Sequence, residues 1–129
     1  MIESGIKGRL TLTVTPENTA RAMGSGTLDV FATPAMIALM ERTAAESVQP
    51  LLPEGDCTVG IEISVRHTAA SPLGAEITCD SFLVTVDGRR LVFEVIARDN
   101  TGEIGRGRHE RFIVHSDRFM EKASQRLGN

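Results

Sequence analysis

The chain has no tryptophan and no tyrosine, and five phenylalanines make up its whole aromatic content. Recognition of single-stranded nucleic acid by stacking needs aromatic platforms, so that class of function is excluded. A net charge of −3 gives no overall attraction to DNA, RNA or an anionic membrane. Two cysteines, Cys57 and Cys79, make neither a disulfide framework nor a metal-ligand spacing, and point to a reduced intracellular setting. The amino-terminal stretch MIESGIKGRL lacks the apolar core of a signal peptide, and no apolar run is long enough to span a bilayer. A soluble, cytoplasmic protein with neither a nucleic-acid nor a membrane partner is expected.

What is present fits one domain spanning the whole chain: 129 residues, 41% apolar and 24% charged, enough for one sizeable core. Residues 8–14 alternate with period two, Leu10, Leu12 and Val14 against Arg9, Thr11 and Thr13, as in a half-buried strand. Residues 15–23 open on Thr-Pro and read as a short helix, and GSGTLD reads as a loop. A longer helix starts after Thr33 and runs to about Val48, stopped by Pro50 and Pro53. Its apolar stripe carries Met36, Ile37, Met40, Ala44, Val48 and Leu51, with Arg42, Glu46 and Gln49 opposite and Glu41 at the border.

Four strands follow, over 58–69, 75–86, 90–98 and 103–114, the middle two joined by the hairpin signal Asp87-Gly88. In the first of these, Val59, Ile61, Ile63 and Val65 share a face that His67 continues. A polar tail begins as a helix. The order predicts an α+β fold, an antiparallel sheet with one long helix packed on a single face.

Three residues stand out chemically. Thr33 before Pro34 has the signature of a helix N-cap; alternatively, its hydroxyl and the free amides of the helix start could hold a carbonyl and stabilise an oxyanion. Glu41 either pairs with a strand arginine such as Arg66 or, with its pKa raised at the edge of the buried stripe, serves as a general base or orienting group. His67 is either a structural histidine or a proton carrier. His109 and His115 are weaker metal-ligand candidates with no third ligand type beside them, so no metal is assigned. Gly60 interrupts an alternating strand and marks a bulge or a close approach. Arg89, Arg90, Arg106, Arg108 and Arg111 are either solvated charges or a seat for a phosphate-bearing tail. A hydroxyl, a carboxylate and a histidine facing one helix–sheet layer have the makeup of an acyl-transfer site.

The ordered segments FATPAMIALME, TVGIEISVRHTAASPLGAEI, VDGRRLVFEVIARD and EIGRGRHERFIVH resemble the hotdog-fold thioesterases, specifically the fluoroacetyl-CoA thioesterase-like family, over residues 8 to 119. The resemblance implies a hotdog fold, an antiparallel sheet wrapped around one long central helix, and homodimers or higher oligomers with active sites at the subunit interface. It implies hydrolysis of an acyl-CoA thioester to free acid and CoA, with no cofactor beyond the CoA of the substrate. It places the catalytic residues at Thr33, Glu41 and His67, and substrate-binding residues at Gly60, Phe31 and Arg111. The family's fluoroacetate-specialised enzyme carries phenylalanines in a lid before FAT; here that stretch is Met23-Gly24-Ser25-Gly26-Thr27-Leu28, so a different or broader acyl group is expected. The alternatives are a non-catalytic hotdog module that binds acyl-CoA without turnover, and an enoyl-CoA hydratase on the same fold.

Overall fold

The helix over Thr33–Val48 is the pivot of the structure, a computed structural model that describes residues 2–128. Five strands wrap it: β1 (Lys7–Thr13), β2 (Asp56–His67), β3 (Glu76–Asp87), β4 (Arg90–Asp99) and β5 (Gly102–His115). They form one antiparallel sheet in the order β1-β3-β4-β5-β2. A 3₁₀ turn (Pro16–Asn18) and a one-turn helix, α1 (Ala20–Met23), lead into the long helix, α2, and a further helix, α3 (Ser116–Gln125), follows β5. The α+β architecture with one long helix on one face is therefore as the sequence predicts. No described helix is long and apolar enough to cross a membrane.

The face that α2 buries is Ala35, Met36, Leu39, Met40, Thr43, Ala44 and Val48, turned slightly from the predicted stripe. Ile37 is only half-buried. Leu51 is 52% exposed, because it lies past the helix in a 3₁₀ turn (Gln49–Leu51) where helical spacing no longer holds. Thr43 can be buried because its hydroxyl donates to the Leu39 carbonyl at 2.7 Å. Across the interface sit Ile77, Leu83, Phe93, Val95 and Ile104. Bare backbone lets the layers close: a Cβ on Gly105 of β5 would stand 2.7 Å from the Met36 sulfur.

The predicted parity of β2 is half right. Ile61 is an extra residue, since Gly60 pairs with Arg111 and Glu62 pairs with Glu110 on β5. This bulge flips the alternation on either side of it. Ile63 and Val65 pack on the core, whereas Val59 pairs with Phe112 on the other face and Ile61 is 53% exposed. Thr58 and Gly60 take the inward positions instead. β2 is also an edge strand, and its free side carries no neighbour among the described residues.

Candidate active site

Thr33 is not a cap. The N-cap is Ala32, in extended conformation, and no side chain caps the helix; Thr33 occupies the first turn beside Pro34. Its hydroxyl lies 2.8 Å from Nδ1 of His67, at the end of β2. Phe31, itself buried, meets the His67 ring edge-on with centroids 6.4 Å apart. Together they wall a cleft of about 260 Å³, completed by Ala20, Ser25 and Val30. That is below the size of drug-like ligand sites, so this part of the molecule has room for a short acyl group.

Burial lowers the pKa of His67, because desolvation penalises the imidazolium. The ring is thus neutral near pH 7 and can accept the Thr33 proton. Its other nitrogen, Nε2, is buried without a hydrogen-bond partner among the described residues. The segment before Phe31 is ordered by its own bonds: Gly24 closes α1 in the left-handed conformation, Ser25 N donates to the Ala20 carbonyl, and Arg21 pairs with Asp29. It gives the cleft small side chains and no aromatic one.

Glu41 stands elsewhere. It is eight residues beyond Thr33, about 12 Å along the helix axis. Its carboxylate lies 3.8 Å from Nη1 of Arg111, which replaces the expected partner Arg66, and its side chain is 42% exposed. Gly60 faces it with no side chain of its own, and a Cβ there would come within 2.7 Å of Glu41 Oε2. Arg111 is pinned from below: Nε donates to the Thr58 hydroxyl at 2.7 Å and Nη2 to the Thr58 carbonyl at 2.9 Å. Arg111 Nη1 and His109 Nε2 are 3.1 Å apart. Because a guanidinium can only donate, His109 accepts there and must carry its proton on Nδ1, which donates to the Glu62 carbonyl at 2.8 Å. Burial lowers the pKa of His109 as well, which keeps that tautomer neutral.

The chain therefore holds two separate clusters: Thr33–His67 with Phe31, and Glu41–Gly60 with Arg111. The expected trio of Thr33, Glu41 and His67 does not meet within a chain. His109, read from sequence as a possible metal ligand, is a hydrogen-bond acceptor for Arg111. His115 sits apart, at the far end of β5. Neither His109 nor Thr58 announces its role in the sequence: the parity shift at Ile61 turns Thr58 inward, and His109 shares the face of Arg111 two residues away on β5.

Residues 14–117 match the family model described as fluoroacetyl-CoA-specific thioesterase. The chain belongs to this family. A relative, the fluoroacetyl-CoA thioesterase of Streptantibioticus cattleyicolor, is 42% identical over 98 residues, covering 76% of this chain and 70% of that protein. A crystal structure of a mutant of the fluoroacetyl-CoA-specific thioesterase FlK with fluoroacetate and CoA superposes with a TM-score of 0.87 at 35% identity, covering 92% of this chain and 99% of that one. A hot-dog-like protein from Thermanaerovibrio acidaminovorans gives a TM-score of 0.89 at 28% identity, covering 98% and 93%. The architecture is thus the hotdog fold, and Thr33 and Glu41 of this family member lie on its central helix, with His67 on its edge strand.

Proposed function

We propose that this chain is an acyl-CoA thioesterase which hydrolyses a short acyl-CoA to the free acid and CoA. The observation that carries the reading is the Thr33–His67 contact of 2.8 Å at the uncapped start of α2, within the 260 Å³ cleft. The amides of Thr33 and Ala35 in the first helical turn have no intrahelical acceptor and can receive the thioester oxygen as it becomes an oxyanion. His67, neutral near pH 7, takes a proton from the Thr33 hydroxyl or from a water that the hydroxyl holds. The new C–O bond forms, the C–S bond breaks, and the imidazolium returns the proton to the departing CoA thiolate. If Thr33 itself attacks, a water then repeats the sequence on the acylated Thr33 and frees the acid. Mass spectrometry of rapidly quenched enzyme separates the two routes by the presence or absence of acylated Thr33.

The function requires a homodimer. β2 offers twelve residues of unpaired edge, Asp56–His67, with apolar Ile61 exposed on it. A two-fold axis between Ile63 and Ser64 pairs β2 with its copy and sets His67 opposite the partner's Gly60. The partner's Glu41 carboxylate then comes up beside the Thr33–His67 pair and orients the attacking group. Such pairing supplies the member of the trio that each protomer lacks. The small-residue wall before Phe31 leaves the acyl pocket without an aromatic gate, so the substrate is not restricted to fluoroacetyl-CoA. A reducing cytoplasmic compartment suits Cys57 and Cys79, both free.

The test is thiol release from a panel of short and medium acyl-CoAs. Turnover that His67→Ala abolishes supports the reading. Saturable binding without release of thiol would assign the protein to the class of acyl-CoA-binding modules instead.

A further inference from the structure

The sequence marks five arginines on β5 and the β3–β4 hairpin, and the structure partners four of them. Arg90 donates to Glu110 at 2.7 Å, Arg106 to Glu103 at 2.6 Å, Arg108 lies 3.5 Å from Glu110, and Arg111 is held by Thr58 beside Glu41. Arg89 alone has no carboxylate partner among the described residues. It lines a cleft where the hairpin, the end of β5 and α3 converge, together with Arg118 and Lys122. These two lie four residues apart on α3 and so share one face. His115 adds a further nitrogen base, and no carboxylate lines the cleft. In a protein of net charge −3, three cations gathered without a counter-charge call for an anionic ligand. Phe112 and Phe119, 38% and 41% exposed, flank them. Cations beside exposed aromatic faces suit a ligand carrying both phosphate and a flat base.

We propose that this cleft holds the nucleotide end of a CoA thioester, with its phosphates on Arg89, Arg118 and Lys122 and its adenine against Phe119. The assignment of CoA rests on the thioesterase reading above. Asp56, paired with His115 at the cleft, is four residues along β2 from Gly60, about 13 Å at strand rise. His67 is eleven residues away, about 36 Å. An extended pantetheine arm covers the first distance and not the second. A thioester anchored here reaches the Glu41–Gly60 half of its own protomer and meets Thr33–His67 only from the second protomer.

Calorimetric titration of the intact protein with adenosine 3′,5′-bisphosphate tests the site without catalysis. Saturable binding is expected, weakened ~10-fold or more in the triple variant R89A/R118A/K122A, whose three changes are on exposed side chains that leave the core untouched. No binding by the wild type, or equal binding by the triple variant, overturns the proposal. Inorganic phosphate binding as tightly as the bisphosphate also overturns it, because the cleft is then a site for free phosphate. In kinetics, the preference for an acyl-CoA over the matching acyl-pantetheine, taken as the ratio of kcat/KM values, is expected to fall ~10-fold in the triple variant; an unchanged ratio overturns the proposal. A wild type that binds the bisphosphate but cleaves no thioester upholds the cleft and removes the hydrolase reading.

Discussion

A side-chain carbon on Gly60 would stand 2.7 Å from Oε2 of Glu41, so the bare strand position and the helix carboxylate occupy complementary space. The atom that must yield to a new Cβ is the tip of a flexible side chain, and Gly60 needs no left-handed backbone. Gly60→Ala is therefore expected to fold normally while moving the carboxylate. A displacement on the ångström scale at a catalytic group costs on the order of 10²-fold in kcat. Thermal melts and kinetics on the same preparation check this; a variant with wild-type kcat would remove Glu41 from the chemistry.

Thr33 gives a second separation of stability from activity. A true N-cap threonine replaced by alanine costs about 1 kcal/mol. Here the hydroxyl bonds His67 and caps nothing, so Thr33→Ala should change stability by less than about 0.5 kcal/mol, as for ordinary surface changes. Turnover should fall roughly 10²- to 10⁴-fold, the range set by loss of acid–base chemistry at a reacting hydroxyl. Thr33→Ser, which keeps the oxygen, should retain most of it. Denaturant melts set beside kcat decide the matter, and a large loss of stability with activity intact would return Thr33 to the role of a cap.

Thr33 and His67 were both legible in the sequence as candidates, but the contact between them was not. Periodicity located α2 and all five strands because each keeps one face in the core, and burial enforces that pattern. It failed at Ile61, where one extra residue reverses the parity of β2 and sends Val59 outward while Thr58 and Gly60 turn inward. Gly60 was readable as an irregularity, but its partner Glu41 was not, since contacts between a strand and a helix leave no local spacing. Arg66 lies on the outward face of β2, alternate to Ile63 and Val65, so the cation beside Glu41 comes instead from Arg111 on the neighbouring strand β5. Thr-Pro looked like a cap because the dipeptide is common at helix starts; the competing acceptor, 34 residues away in sequence, is visible only in three dimensions.

The imidazoles of half-buried His67 and buried His109 have pKa values lowered from 6.5 by desolvation. The activity consequence is that kcat/KM should rise with pH through an inflection below 6.5 and be flat above neutrality, as His67 must be unprotonated to act as base. An inflection above 6.5 that vanishes in His67→Ala would contradict the assignment.

The stability consequence has a definite sign. The folded chain binds these protons less readily than the unfolded chain, so acid favours unfolding. The contribution is fully present above about 6.5 and is lost as pH falls through the lower folded values. His109→Gln keeps an acceptor near the Nε2 position for Arg111 and cannot titrate. Its melting temperature should decline less than that of the wild type between neutral and mildly acidic pH. Parallel melts across that window measure the difference, and identical declines would show that His109 is not a source of the acid sensitivity.

The separation of Thr33–His67 from Glu41 within the chain, with each site of the proposed dimer drawing on both chains, leads to a complementation experiment. Thr33→Ala and Glu41→Gln variants should each be nearly inactive as homodimers, with Glu41→Gln still binding acyl-CoA. In a heterodimer of the two, one site combines both lesions and the other combines an intact Thr33–His67 pair with an intact Glu41. Random reassortment makes about half of the dimers mixed, with one good site of two, so the equimolar mixture should recover about a quarter of wild-type activity. Recovery should appear only after subunits exchange, and an Ile61→Lys change on the β2 edge should abolish it along with the dimer seen by sedimentation. If all three groups served one site within a single chain, mixing would restore nothing, because every protomer in the mixture carries a lesion.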